Sequence, residues 1–76
     1  MSREQFAEVL SRLRAGAEFT VRNQDGWWGL RGGPEGITEW SRTPNSPCAP
    51  DRLVTNHEVE ASIGAWDYDE VIARMR

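Results

Sequence analysis

The chain reads as an α+β fold: an N-terminal helix, a three-stranded antiparallel meander, a proline-rich loop, and one or two C-terminal helices packed on one sheet face. Three observations predict it. A capped amphipathic segment opens the chain, alternating segments parted by glycine-rich turns run from Glu18 to Trp40, and capping signals recur after Val54.

The first helix begins at Ser2-Arg3-Glu4-Gln5, a capping box in which the serine hydroxyl and the glutamine amide each satisfy an otherwise orphaned backbone N–H. Phe6, Val9, Leu10 and Leu13 follow at i, i+3, i+4 and i+7 and form one apolar stripe. Gly16 closes the helix by taking the left-handed conformation. On the outer side Glu8 and Arg12 form an i, i+4 pair. The stripe has to be covered, and the nearest apolar surface is the segment that follows.

Glu18 to Trp40 contains three of the four tryptophans. Phe19-Thr20-Val21-Arg22 alternates with the period of a half-buried strand. Asp25-Gly26 suits a type I′ turn, and Trp27-Trp28-Gly29-Leu30-Arg31 is the return strand. The loop is either two residues (Asp25, Gly26) or four (Asn23 to Gly26), pairing Val21 with Leu30 or with Trp28. Both registers give one parity. Phe19, Val21, Trp28 and Leu30 share a face, while Thr20, Arg22, Trp27 and Arg31 share the other, because strand side chains alternate strictly. Adjacent tryptophans therefore cannot both enter one core, and Trp27 is left among arginines.

Gly32 to Gly36 forms the second turn, and Ile37 to Trp40 the third strand. If Arg31 pairs with Ile37, Trp40 joins Trp28 in the core and Ile37 joins Trp27 outside; a one-residue slip reverses this. The gain from burying a large aromatic favours Trp40 inside.

After Trp40, Ser41 to Asp51 is a loop with three prolines. Thr55-Asn56-His57-Glu58 is a second capping box, and Val59, Ile63 and Trp66 at i, i+4 and i+7 predict a helix over about Asn56 to Ala65. The alternation of Val59, Ala61, Ile63 and Ala65 fits a strand as the rival, and Gly64 weakens the helix. Asp67-Tyr68-Asp69-Glu70 is a third capping box that opens the last helix, with Trp66 and Val71 as a hydrophobic staple. Acids in its first turn and Arg74 and Arg76 near its end suit the helix dipole.

The chain's 76 residues suffice for one domain, 1–76, with a thin core. No apolar run approaches the ~20 residues of a membrane span, and MSREQFAEVL lacks the pattern of a signal peptide, so a cytoplasmic location is expected. The lone Cys48 rules out an intrachain disulfide. Flanked by prolines and without basic neighbours, it reads as an inert thiol. His57 is the only histidine, so no His/Cys metal cluster can be assembled, and a Cys48–His57 nucleophile is not expected. GLRGGPEG lacks the Gly-Lys-Ser/Thr ending of a phosphate-binding loop. Neither a catalytic set nor a cofactor motif is legible.

The net charge is −3, unevenly spread. Residues 1–31 hold five arginines against four acids, and residues 51–76 hold three arginines against six. All nine basic residues are arginine. That bias follows from GC-rich coding, and a short, tryptophan-rich chain of this style suits a small bacterial or phage accessory protein. Trp27, Arg22, Arg31, Thr20 and Ile37 form one candidate contact face, and the acids Glu58, Glu60, Asp67 and Asp69 a second, against a basic partner. These features predict a non-enzymatic protein-binding module that regulates or inhibits a larger partner. A single-stranded nucleic-acid binder stacking bases on Trp27 is the alternative, disfavoured by the acidic balance. A homo-oligomer joined through the same face or the edge strand is a third reading.

Overall fold

Residues 1–44 and 51–76 are described by the computed structural model. They form α1 (Arg3–Arg14), β1 (Glu18–Asn23), β2 (Gly26–Gly33), β3 (Gly36–Arg42), β4 (Arg52–Val54), α2 (Asn56–Ile63) and α3 (Tyr68–Ala73). The middle of the proline-rich loop, residues 45–50 with Cys48, lies outside the described residues.

α1 starts and stops as its sequence dictates. The Gln5 N–H donates to Ser2 Oγ at 3.1 Å, and the Ser2 N–H donates to Gln5 Oε1 at 2.8 Å. At the other end Gly16 takes φ +109°. The Gly16 N–H bonds the Leu13 carbonyl and the Ala17 N–H bonds the Arg12 carbonyl, each at 3.0 Å. These are the two hydrogen bonds of a Schellman motif, and they satisfy carbonyls the helix would otherwise leave open.

The sheet is antiparallel in the order β1-β2-β3-β4. It has one strand more than expected. Leu53 and Val54, between the proline-rich loop and the Thr55 cap, pair with Thr38 and Ile37. In the first hairpin Val21 pairs with Trp28 and Arg22 with Trp27, the register expected of the four-residue loop, but Asn23 also pairs with Gly26 and the turn itself is Gln24-Asp25. Asp25-Gly26 does not form the expected type I′ turn. That turn needs positive φ at both central residues, yet among the described residues only glycines have positive φ. Asn23 instead accepts from the Asp25 N–H at 2.9 Å, and Gly26 returns the chain with φ +142°.

The second hairpin overturns the expected placement of Ile37 and Trp40. Gly33 pairs with Gly36 across Pro34-Glu35, so Gly32 faces Ile37, Arg31 faces Thr38 and Gly29 faces Trp40. The slip sends Ile37, 2 % exposed, into the core and Trp40 to the opposite face beside Trp27. Turn length sets strand parity and outweighs the gain from burying one more indole.

Beneath the sheet, Phe6, Val9, Leu10 and Leu13 of α1 meet Phe19, Leu30 and Ile37, and Val59, Ile63 and Val71 of the C-terminal helices complete one cluster. Phe19 is its hub, with Trp28 and Trp66 set edge-on to its ring at centroid distances of 5.9 and 5.7 Å. α2 forms as a helix and not a strand. Thr55 and Glu58 make a reciprocal capping box, each bond 3.1 Å long. α3 differs from expectation, because Asp67 makes no side-chain cap bond and the helix ends at Ala73, leaving Arg74 as its cap and Arg76 beyond it. The chain end instead ties to β1: Glu18 and Arg76 exchange two backbone hydrogen bonds of 2.9 Å.

α1 comes close to the sheet where a side chain is missing. A Cβ on Gly32 would overlap the Leu13 carbonyl, whereas one on Gly33 would meet nothing within 4 Å. Gly32→Ala is therefore expected to cost about 2 kcal/mol or more, since backbone must shift to admit the methyl. Gly33→Ala should stay within about 0.5 kcal/mol. Urea unfolding of the two variants checks this, and equal costs would refute the close approach.

Candidate functional surface

Helices cover one face of the sheet, and the other carries a mixed apolar and cationic surface. Its residues follow from the register. Arg22, Trp27 and Arg42 lie side by side across β1, β2 and β3. Thr20, Gly29 and Trp40 form the next row, then Glu18, Arg31, Thr38 and Leu53. Trp27, Trp40 and Leu53 thus run diagonally over three adjacent strands, within side-chain reach of one another at about 7–8 Å per diagonal step. Among the described residues the large hydrophobics that are exposed are Trp27, at 46 %, and Leu53, at 54 %, and both belong to this diagonal.

Each outer indole has an arginine over it. The Arg22 guanidinium lies 5.7 Å from the Trp27 ring centroid, and the Arg42 guanidinium 5.5 Å from that of Trp40. Gly29 makes room for the Trp40 ring; a Cβ there would stand 2.5 Å from Trp40 Cζ2. The Trp40 indole N–H is shut off from solvent with no acceptor among the described residues. Trp28, facing the other way, donates its N–H to Glu39 at 3.2 Å.

The arginines of this face differ in their commitments. Arg31 reaches Glu18 at 3.8 Å and Asp51 at 3.4 Å. Arg42 reaches the other oxygen of Asp51 at 3.2 Å. Arg22 has no acidic partner among the described residues. A groove of about 300 Å³ opens beside it, lined by Arg22, Gln24, Trp27, Arg42 and Pro44 among others.

The acidic residues singled out in the sequence do not join this surface. Glu60, Asp67 and Asp69 are exposed on the helical layer, on or beside α2 and α3. Glu58 is occupied by structure: it completes the Thr55 capping box and pairs with Arg52 at 2.9 Å, while Arg52 also reaches Glu39 at 3.2 Å. The Thr55 backbone N–H, and after it Arg52, hold the Glu58 carboxyl below the ordinary glutamate range. On α1, a hydrogen bond from the Tyr68 hydroxyl lowers Glu8 likewise and raises the Tyr68 phenol.

Of the predicted contact face, Thr20, Arg22, Trp27 and Arg31 stand together as expected, and Ile37 does not belong. Trp40, Arg42 and Leu53 are the members that sequence reasoning missed. The signal for Trp40 and Arg42 was the turn Gly33-Pro34-Glu35-Gly36, where proline at the second position and glycine at the fourth mark a two-residue reversal; Leu53, on β4, carried none.

Among the described residues no three His, Cys, Asp or Glu side chains are grouped to hold a metal ion, and no helix is long and apolar enough to cross a membrane. No family model matches the chain, and no curated protein or solved structure is significantly similar to it.

Two expectations follow. Trp28→Ala should cost about 3 kcal/mol, as truncations of packed aromatics do, whereas Trp27→Ala should cost under about 1 kcal/mol, the worth of an exposed cation–π contact. Similar losses in thermal unfolding would contradict their separation. Glu58, lowered in the folded state, contributes stability above its unfolded pKa that is lost as pH falls through the lower folded value. Glu58→Gln should therefore flatten the acid limb of the stability curve, and an unchanged limb would show that the capping contact does not titrate.

Proposed function

We propose that this protein is a non-enzymatic protein-binding module that regulates or inhibits a larger partner, with the helix-free sheet face as its contact surface. One observation carries the reading: the Trp27–Trp40–Leu53 diagonal, set among arginines and, among the described residues, bare of any helix. Tryptophan and arginine dominate interface energies out of proportion to their number. A contiguous apolar strip rimmed by polar groups is what contact surfaces present. Strand pairing fixes where these side chains stand, so less ordering cost opposes docking on the sheet than on a loop. The acidic helical layer lies on the opposite side and is a separate surface for a basic partner.

The second indole on this face also favours the alternative of a single-stranded nucleic-acid platform, where bases stack on aromatics between cations. Self-association through the face is the third possibility. Tagged protein incubated with an extract of the source cells should capture a defined partner. Trp27→Ala combined with Leu53→Ala should reduce capture by about 30-fold or more, the loss of a hot spot, at unchanged melting temperature. Full capture by the double variant would remove the sheet face from the account. Salt-dependent binding of decathymidylate by the wild type, lost in the same variant, would favour the alternative.

A further inference from the structure

We propose that the groove beside Trp27 takes an acidic segment of a partner polypeptide, with a carboxylate on Arg22 and the adjoining apolar side chain against the indole. The proposal rests on the protein-binding reading and adds the chemistry of the partner. It starts from the uneven commitment of three arginines. Arg31 is held between Glu18 and Asp51, and Arg42 is held by Asp51. Arg22 lies over the Trp27 ring at 5.7 Å without an acidic partner among the described residues. Asp25, on the same turn, does not line the groove. The groove therefore offers one open cation, one exposed indole and the ring of Pro44, in a space of about 300 Å³. That room suits one or two side chains, and the lining suits an apolar residue next to an acid. A guanidinium resting on an indole can turn its donor edge to a carboxylate while keeping its face on the ring.

Two other occupants fit less well. A nucleic-acid strand carries a charge at every nucleotide and draws its affinity from several phosphate contacts at once. Among the described residues this face frees only Arg22 unless the Asp51 pairs break. A second copy of the chain brings to Arg22 no free acid among the described residues of this face, because Glu18 and Asp51 are already paired with Arg31 and Arg42.

The test uses ¹⁵N-labelled full-length protein and three capped pentapeptides of the form Gly-X-Phe-X-Gly, with X as Glu, Gln or Lys. The Glu peptide should shift the Trp27 indole N–H and the Arg22 signals and bind about fivefold more tightly than the Gln peptide, the Lys peptide weakest, as one charge-assisted contact predicts. Arg22→Gln should erase the difference between Glu and Gln peptides while leaving the fold intact by its spectrum. Equal binding of the Glu and Gln peptides at these signals overturns the acidic preference but leaves the contact face standing. No shift by any peptide up to about 5 mM, weaker than ordinary specific recognition, overturns the proposal, and the capture experiment with the Trp27/Leu53 variant then decides separately whether the face binds protein at all. Tighter binding of decathymidylate at the same signals, or shifts there on concentrating the protein alone, also overturns it.

Discussion

Two short reversals govern the architecture. Asn23 pairs with Gly26 and Gly33 with Gly36, so each hairpin turns through two residues and ends on a glycine of positive φ. Once these turns are set, strand alternation leaves no freedom. Trp28 goes under the sheet and Trp27 over it, Ile37 under and Trp40 over. A one-residue change in either turn would move every following side chain to the wrong face. The placement of the indoles is thus a consequence of turn chemistry, not of hydrophobicity summed residue by residue.

The helical layer completes the asymmetry. α1 seats against β2 because Gly32 lets the Leu13 backbone approach, and its four buried residues cover Leu30, Phe19 and Ile37. The C-terminal helices add Val59, Ile63 and Val71 to the same side. Trp66 joins them, edge-on to Phe19, with the Arg74 guanidinium 5.7 Å from its ring centroid. The apolar side chains of α1, α2 and α3 are thereby committed to one face. The outer face keeps Trp27 and Leu53 exposed, with the half-buried Trp40 between them. For a small domain, whose margin of stability is thin, leaving an indole and a leucine exposed on one face is costly in solubility. That cost is the physical argument that the face is used.

Much of this was legible in the chain, and the failures have identifiable causes. The Ser2 and Thr55 capping boxes, the Phe6-to-Leu13 stripe and the stop at Gly16 are local signals, and local signals survive folding. The opposition of Trp27 and Trp28 needed only alternation. The third strand departs from expectation because burial of Trp40 counts for less than the turn: Pro34-Glu35 between flanking glycines sets the register. β4 was hidden because three residues paired at a sheet edge carry no periodicity of their own. Asp67 fits a cap by pattern, yet its side chain makes no cap bond, since a capping sequence permits the contact without compelling it. The contact face was half visible: Arg22, Arg31, Thr20 and Trp27 follow from the first hairpin and Trp40 and Arg42 from the second turn, whereas Leu53 depends on a pairing that only the assembled sheet defines.

The account stands on neighbouring indoles that face opposite ways. Fluorine NMR of protein carrying 5-fluorotryptophan, with a soluble gadolinium chelate added, reads this residue by residue across the four tryptophans. The Trp27 resonance, assigned with a Trp27→Phe variant, should broaden most, and that of Trp28 far less. Equal broadening of the two would contradict the parity of the hairpin and remove the proposed contact face with it.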